Sequence, residues 1–187
     1  MEKEIKRCVE LLLKGKVFLY PTDTVWGLGC DATNEEAIHR IYEIKRRQES
    51  KNMLILLDDA SKLSRYVHHV PTIVWALLKN VERPTTYIYP HAKNLPTSMI
   101  ADDGSIAIRI VQDGFCQKLL RELDRPLVST SANISGMPSP ATFNDMSTEV
   151  LSQVDYVVPT IFENSFQTKP SRIIRLIDDD RMEVLRD

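Results

Sequence analysis

Four short stretches of this chain gather side chains able to handle charged, oxygen-rich molecules. The first, YPTDTVWGLGCDA (20–32), ends an apolar run at Pro21 and then offers Thr22, Asp23 and Thr24. Gly27 and Gly29 permit close backbone approach or a positive φ. The GxxxxGK[ST] spacing of a P-loop is missing. A glycine-rich hairpin with capping threonines explains the same composition. The second stretch, EIKRRQESKN (43–52), clusters Lys45, Arg46, Arg47 and Lys51 where a helix gives way to a strand. Cations at that place complement a helix dipole. The alternative is a phosphate grip, with bidentate arginines and a point-charge lysine.

The third stretch, SIAIRI (105–110), sets Arg109 in the middle of an apolar strand. A buried guanidinium needs either an acidic partner or an open cleft. The first is a structural salt bridge; the second would suit a substrate carboxylate. Ser105 shares the face of Arg109 by the two-residue period. The fourth, RPLVSTSANISGMPS (125–139), starts as a buried strand and turns into a loop carrying Ser129, Thr130, Ser131, Ser135 and Ser139. Short hydroxyls and backbone N–H groups leaving a strand can form an anion-binding nest. Asn133 and Gly136 add turn chemistry, and a plain Ser/Asn-rich turn is the competing account.

His39, His68, His69 and His91 have no metal or triad spacing, and no G-x-S-x-G elbow occurs. Cys8, Cys30 and Cys116 are widely spaced without a CxxC pair, so the sequence predicts free thiols in a reducing compartment and no metal site. Cys30 is read as a buried structural thiol.

The elements that must position these stretches follow from the apolar period. Ile5, Val9, Leu12 and Leu13 make one helical face, and Gly15 can cap it. VFLY is a short strand. Asn34 can cap a helix with Glu35 and Glu36 in its first turn and Ile38, Ile41, Tyr42 and Ile44 on its core face. MLILL (53–57), TTYIY (85–89), SIAIRI and PLVST read as strands. Helices are expected over 72–79, from an Asp113 cap through Leu123, and near 145–153. A strand at 156–158 and a hairpin around DDD (178–180) complete the chain. Alternating strands and helices predict an α/β fold with a twisted mixed sheet flanked by helices; strand order is not readable. The 187 residues fit one domain, 1–187. A net charge of −2 argues against bulk nucleic-acid affinity, although a local basic patch remains compatible with it. The charged N-terminus and the lack of a ~20-residue apolar run predict a cytoplasmic protein with no membrane span.

Taken in order, these stretches resemble the YrdC-like family of threonylcarbamoyl-AMP synthases, from about Ile5 to Arg186. YPTDTVWGLGCDA is similar to the family's PT[ED]T-[VA]-Y-GLG signature, with Trp26 for the usual tyrosine. KRRQESKNMLIL resembles K-x-R-P-x-x-[NK]-x-L-I, ERPTTYIY resembles PGP-x-T, SIAIRI resembles T-V-[AG]-V-R, and STSANISGMPSP resembles PSAN-x-SG-x-x-SP. The resemblance implies a YrdC-like fold with an open concave cleft, and the short, single-domain form of the family. It implies a nucleotidyltransferase that condenses L-threonine, bicarbonate and ATP, with Mg2+, to threonylcarbamoyl-AMP and pyrophosphate. The product serves threonylcarbamoyladenosine modification of tRNA beside the anticodon, through separate transferase proteins downstream. A basic concave face formed by 45–51, Arg172 and Arg175 would dock tRNA or double-stranded RNA.

By the same resemblance, Thr24, with Thr22 nearby, and Arg109 hold threonine. Lys45 and Arg47 are the catalytic cations, and with Lys51 they hold ATP phosphates. Ser105, Ser131, Asn133 and Ser139 line the nucleotide pocket, and Arg186 also meets ATP. Departures are Gln48 for proline, Leu56 where longer members carry a threonine-contacting histidine, and PSRIIR for PSTVVD. Two alternatives stand beside the synthase: an RNA-binding module, and a paralogue that binds or hydrolyses a related adenylate without synthase activity.

Overall fold

A computed structural model describes residues 1–47, 53–111, 114–140, 142–163 and 169–187. The helices are α1 (Glu2–Leu13), α2 (Glu35–Lys45), α3 (Leu63–Tyr66), α4 (Thr72–Lys79), α5 (Gly114–Leu123) and α6 (Thr148–Leu151). The strands are β1 (Phe18–Tyr20), β2 (Gly27–Gly29), β3 (Leu54–Leu57), β4 (Thr85–Tyr89), β5 (Ile106–Ile110), β6 (Leu127–Ser131), β7 (Tyr156–Val157), β8 (Arg172–Leu176) and β9 (Met182–Arg186). They form one mixed sheet in the order β7-β1-β2-β6-β3-β5-β4-β8-β9. The expected Asp113 cap lies outside the described residues. Asn34 caps α2 as its type requires, its Oδ1 accepting from the Ala37 N–H at 3.0 Å.

One expectation changes. The GLG segment, read as part of a loop, is strand β2, antiparallel to β1 and to β6. A Cβ on Gly29 would stand 2.5 Å from Tyr20 Cε1 and 2.9 Å from the Val128 carbonyl. The glycine therefore makes room for the Tyr20 ring, which stacks on Phe18 with centroids 4.9 Å apart.

Alternation along each strand sorts the core into two layers. Val17, Leu19, Ile55, Leu57, Tyr87, Tyr89, Ile106, Ile108, Ile174 and Leu176 face the layer that holds α2, α3, α4 and α6. Phe18, Tyr20, Leu56 and Leu127 face α1 and α5, which contribute Ile5, Cys8, Leu12, Phe115, Cys116, Leu119, Leu120 and Leu123. Each such side chain taken fully from water contributes about 1.5–3 kcal/mol. The second layer covers only part of its sheet face. Over β5, β4 and β8 that face carries Thr86, Ile88, Ala107, Arg109 and Ile173, and all of them line an open cleft. The cleft exists because two helices are too few to roof nine strands.

Candidate active site

The cleft has a volume of about 290 Å³. It brings together Thr22, Thr24, Arg47, Arg109, Ser131, Ser139 and Arg186 from the residues singled out in the sequence. Lys45, Ser105 and Asn133 lie outside its lining, and Lys51 lies outside the described residues. Ser105 sits in the turn before β5, where its N–H is held by Asp103 Oδ1 at 3.0 Å. Asn133 faces a second hollow on the far side of its loop.

Register explains the floor of the cleft. Arg109 pairs across the sheet with Thr86, Thr86 with Ile173, and Ile173 with Arg186. These four residues form a single row. Arg186 owes its place to an irregularity in β9. Ile173 opposes Arg186 but Ile174 opposes Val184, so Leu185 is extra. Such a bulge re-aims the side chain that follows it. Without it, Arg186 would share the face of Val184 and Met182. Here its Nε and Nη2 donate to the Ser171 carbonyl at 3.0 and 2.7 Å. Burial, followed by the nearby Arg109, lowers its pKa.

Arg109 is 3% exposed and meets both readings offered for it. Its Nη2 lies 2.8 Å from Asp23 Oδ1, an ion pair that offsets the cost of burial. The N–H groups miss the oxygen, so Arg109 Nε and Nη2 and Asp23 Oδ1 have no hydrogen-bond partner. A pair with that much unused capacity can take an incoming carboxylate without first being dismantled.

The threonines fix their own polarity. Thr22 Oγ1 donates its one proton to the Val25 carbonyl at 2.7 Å and accepts from the Thr24 N–H at 3.0 Å. Thr24 Oγ1, 2.9 Å away, must then be the donor of their mutual bond. Thr24 thus presents only lone pairs to the cleft, which suits an ammonium or a hydroxyl donor. Ser131 is similar, because its hydroxyl donates to Asn133 Oδ1.

Arg47 reaches the cleft because Arg46 adopts a left-handed conformation (φ 48°) that ends α2 and turns the chain. Burial lowers the pKa of Arg47. Lys45 takes another direction. It is 2% exposed, and its ammonium donates to the carbonyls of Ser131 and Asn133, the latter at 2.8 Å. Of the nest of N–H groups expected in the serine loop, four are already bonded within the chain. The Ala132 N–H bonds the Trp26 carbonyl, Asn133 that of Ser131, Ser135 that of Lys45 and Met137 that of Ile134.

Sequence reasoning missed several lining residues. Thr86 Oγ1 and Ser171 Oγ are 2.8 Å apart at the cleft wall. Trp26 forms another part of the wall, with Nε1 donating to Glu163 at 2.6 Å and its ring 5.1 Å from Phe143. The two-residue period opposite Arg109 was the signal for Thr86, but using it requires the strand order.

Leu56 is fully buried beneath α1 and α5. Cys30 is fully buried, and burial raises its thiol pKa well above the usual value. Among the described residues, no group of three His, Cys, Asp or Glu could hold a metal ion, and no helix is long and apolar enough to cross a membrane. The basic set read as one face is divided. Ser171 and Ile173 line the cleft, so Arg172 points to the opposite face, where it pairs with Asp187 at 3.0 Å. Arg46 pairs with Glu149. Arg175 alone of the two β8 arginines shares the cleft face.

Residues 10–187 match the sequence profile of the Sua5/YciO/YrdC family, described as "Telomere recombination". The chain belongs to the Sua5/YciO/YrdC family. Within it, this member is 31% identical over 175 residues to a threonylcarbamoyl-AMP synthase of Pseudoalteromonas translucida, covering 92% of each chain. It is 36% identical over 183 residues to a putative threonylcarbamoyl-AMP synthase of Methanocaldococcus jannaschii, covering 95% of this chain and 84% of the other. The fold matches the crystal structure of P. abyssi Sua5 complexed with L-threonine, with a TM-score of 0.89 and 26% identity. That match covers all of this chain and 54% of Sua5, so the chain spans about half of that protein's length.

Proposed function

We propose that this family member is a threonylcarbamoyl-AMP synthase, a nucleotidyltransferase that joins L-threonine, bicarbonate and ATP and releases pyrophosphate. The observation that carries the reading is a single cleft in which Arg109 and Thr24 share walls with Arg47, Ser131, Ser139 and Arg186. Arg109 offers unused N–H groups to the amino acid's carboxylate, and Thr24 offers lone pairs to its amine or hydroxyl. Ser131 accepts from a sugar hydroxyl, while Arg47 and Arg186 supply charge for the phosphates.

The chemistry needs no protein nucleophile. The threonine amine adds to carbon dioxide with loss of a proton, or to bicarbonate carbon with loss of water, to give a carbamate. A carbamate oxygen attacks the α-phosphate, and pyrophosphate leaves. Positioning and charge neutralisation are the chain's contribution. One preorganised donor of this kind contributes about 2.7–4 kcal/mol to the transition state in other enzymes. ATP enters as its magnesium complex, so the metal is part of the substrate. Threonylcarbamoyl-AMP then passes to transferase proteins that modify tRNA in the cytoplasm.

The test is one incubation with ATP, magnesium, bicarbonate and L-threonine. Pyrophosphate release that requires threonine is the expected result. Release independent of threonine, or none, refutes the reading.

A further inference from the structure

Lys45 is the last residue of α2, and it is fastened to the serine loop twice over. Its ammonium holds the carbonyls of Ser131 and Asn133, and its own carbonyl accepts from the Ser135 N–H at 2.9 Å. The loop is also tied internally. Asn133 Nδ2 donates to the carbonyls of Ile134 and Met137, at 3.0 and 2.6 Å. The result is a partition. Ser131 and Ser139 face the cleft on one side, and Ala132, Asn133 and Met137 face a hollow of about 420 Å³ on the other. Lys45 enters this partition from behind and does not reach the cleft's lining.

We propose that Lys45 is a positioning residue, which pins the 131–135 partition and so sets the Ser131 and Ser139 hydroxyls, and that it does not hold phosphate itself. This deepens the synthase reading and rests on it for the identity of the ligand. Two features support the assignment. A lysine on phosphate keeps its N–H groups for the ligand, whereas two of the three here are already given to carbonyls. Burial, followed by Arg47 of like sign, also lowers the Lys45 pKa to about 7. The groups facing it from the partition are uncharged carbonyls. An amine that has lost its proton keeps two N–H donors for two carbonyls, so the pin holds in either state.

The experiment uses the full chain and measures adenosine, AMP, ATP and L-threonine binding by calorimetry for wild type, Lys45→Met and Lys45→Gln. A pin predicts that Lys45→Met weakens adenosine, AMP and ATP by the same factor, roughly tenfold for two lost hydrogen bonds. Threonine affinity stays within about twofold, and Lys45→Gln, which keeps an N–H pair, recovers part of the loss. A large loss for AMP and ATP, or for ATP alone, with adenosine unchanged makes Lys45 a phosphate ligand and overturns the proposal.

Hydrogen exchange in the absence of ligand gives a separate arm. Amides of Ser135 and Met137 should exchange about tenfold faster in Lys45→Met, while those of α5 keep their wild-type rates. Unchanged exchange in the partition overturns the proposal. If Lys45→Met does not fold, Lys45→Gln is compared with wild type on the same two readouts, with smaller losses in the same pattern. If wild type binds neither nucleotide, the synthase reading fails, and the exchange arm still decides whether Lys45 pins the loop.

Discussion

Replacing Arg109 with methionine removes two things at once, and the structure allows them to be separated. The guanidinium supplies N–H groups to the cleft and neutralises Asp23. A hydrogen bond to a charged group contributes about 1.5–3 kcal/mol, so threonine affinity should fall by roughly tenfold to a hundredfold. Breaking a fully buried ion pair costs about 3–5 kcal/mol. The Asp23 side chain is 18% exposed, so solvent relieves part of that penalty. A loss of about 2 kcal/mol corresponds to a Tm drop of about 4–8 °C in a chain of this size. The double variant Asp23→Asn/Arg109→Met removes the stranded carboxylate. It should recover most of the Tm while threonine affinity stays low and ATP affinity changes by less than about twofold. Calorimetric titration and thermal unfolding read the two effects independently. If the double variant binds threonine as wild type does, Arg109 is a structural ion pair and nothing more.

Three further outcomes test the geometry. Gly29→Ala drives a Cβ into the Tyr20 ring and the Val128 carbonyl and should cost roughly 1–3 kcal/mol in urea unfolding. Gly27→Ala meets Thr22 Cγ2 at 3.2 Å and should cost less; the reverse order would contradict the packing described for β2. Arg186→Met removes its guanidinium from the cleft wall, so ATP binding should weaken while circular dichroism is preserved; undiminished binding argues against a role for Arg186. Lys45 makes stability depend on pH. The unfolded chain keeps that proton to about 10.5 and the folded chain only to about 7, so the folded state is favoured as pH rises between them. Unfolding free energy of wild type relative to Lys45→Met should therefore increase from pH 7 to pH 9, and a flat difference would contradict the burial assigned to that amine.

Local signals carried most of the elements. The Asn34 cap, the Ile38, Ile41, Tyr42 and Ile44 face and the apolar run of β3 depend on neighbours a few residues away, and the sequence displays those directly. GLG misled because glycine is rare in strands, and the reason for it is Tyr20, a residue on another strand. Arg109 announced itself as a charge in an apolar strand, but its Asp23 partner and its row with Thr86 and Arg186 depend on strand order. Lys45 and Arg47 look interchangeable in sequence. A left-handed turn at Arg46 sends one to the cleft and leaves the other beneath the serine loop.

The row that runs from Arg109 to Arg186 crosses β5, β4, β8 and β9. Three interstrand gaps of about 4.8 Å separate its ends by roughly 14 Å of backbone. That span is set by ladder geometry and not by loop length, so mutation of the surface segments cannot stretch it. The sheet acts as a ruler, and a molecule anchored at both arginines must be of a length the hydrogen-bond spacing allows.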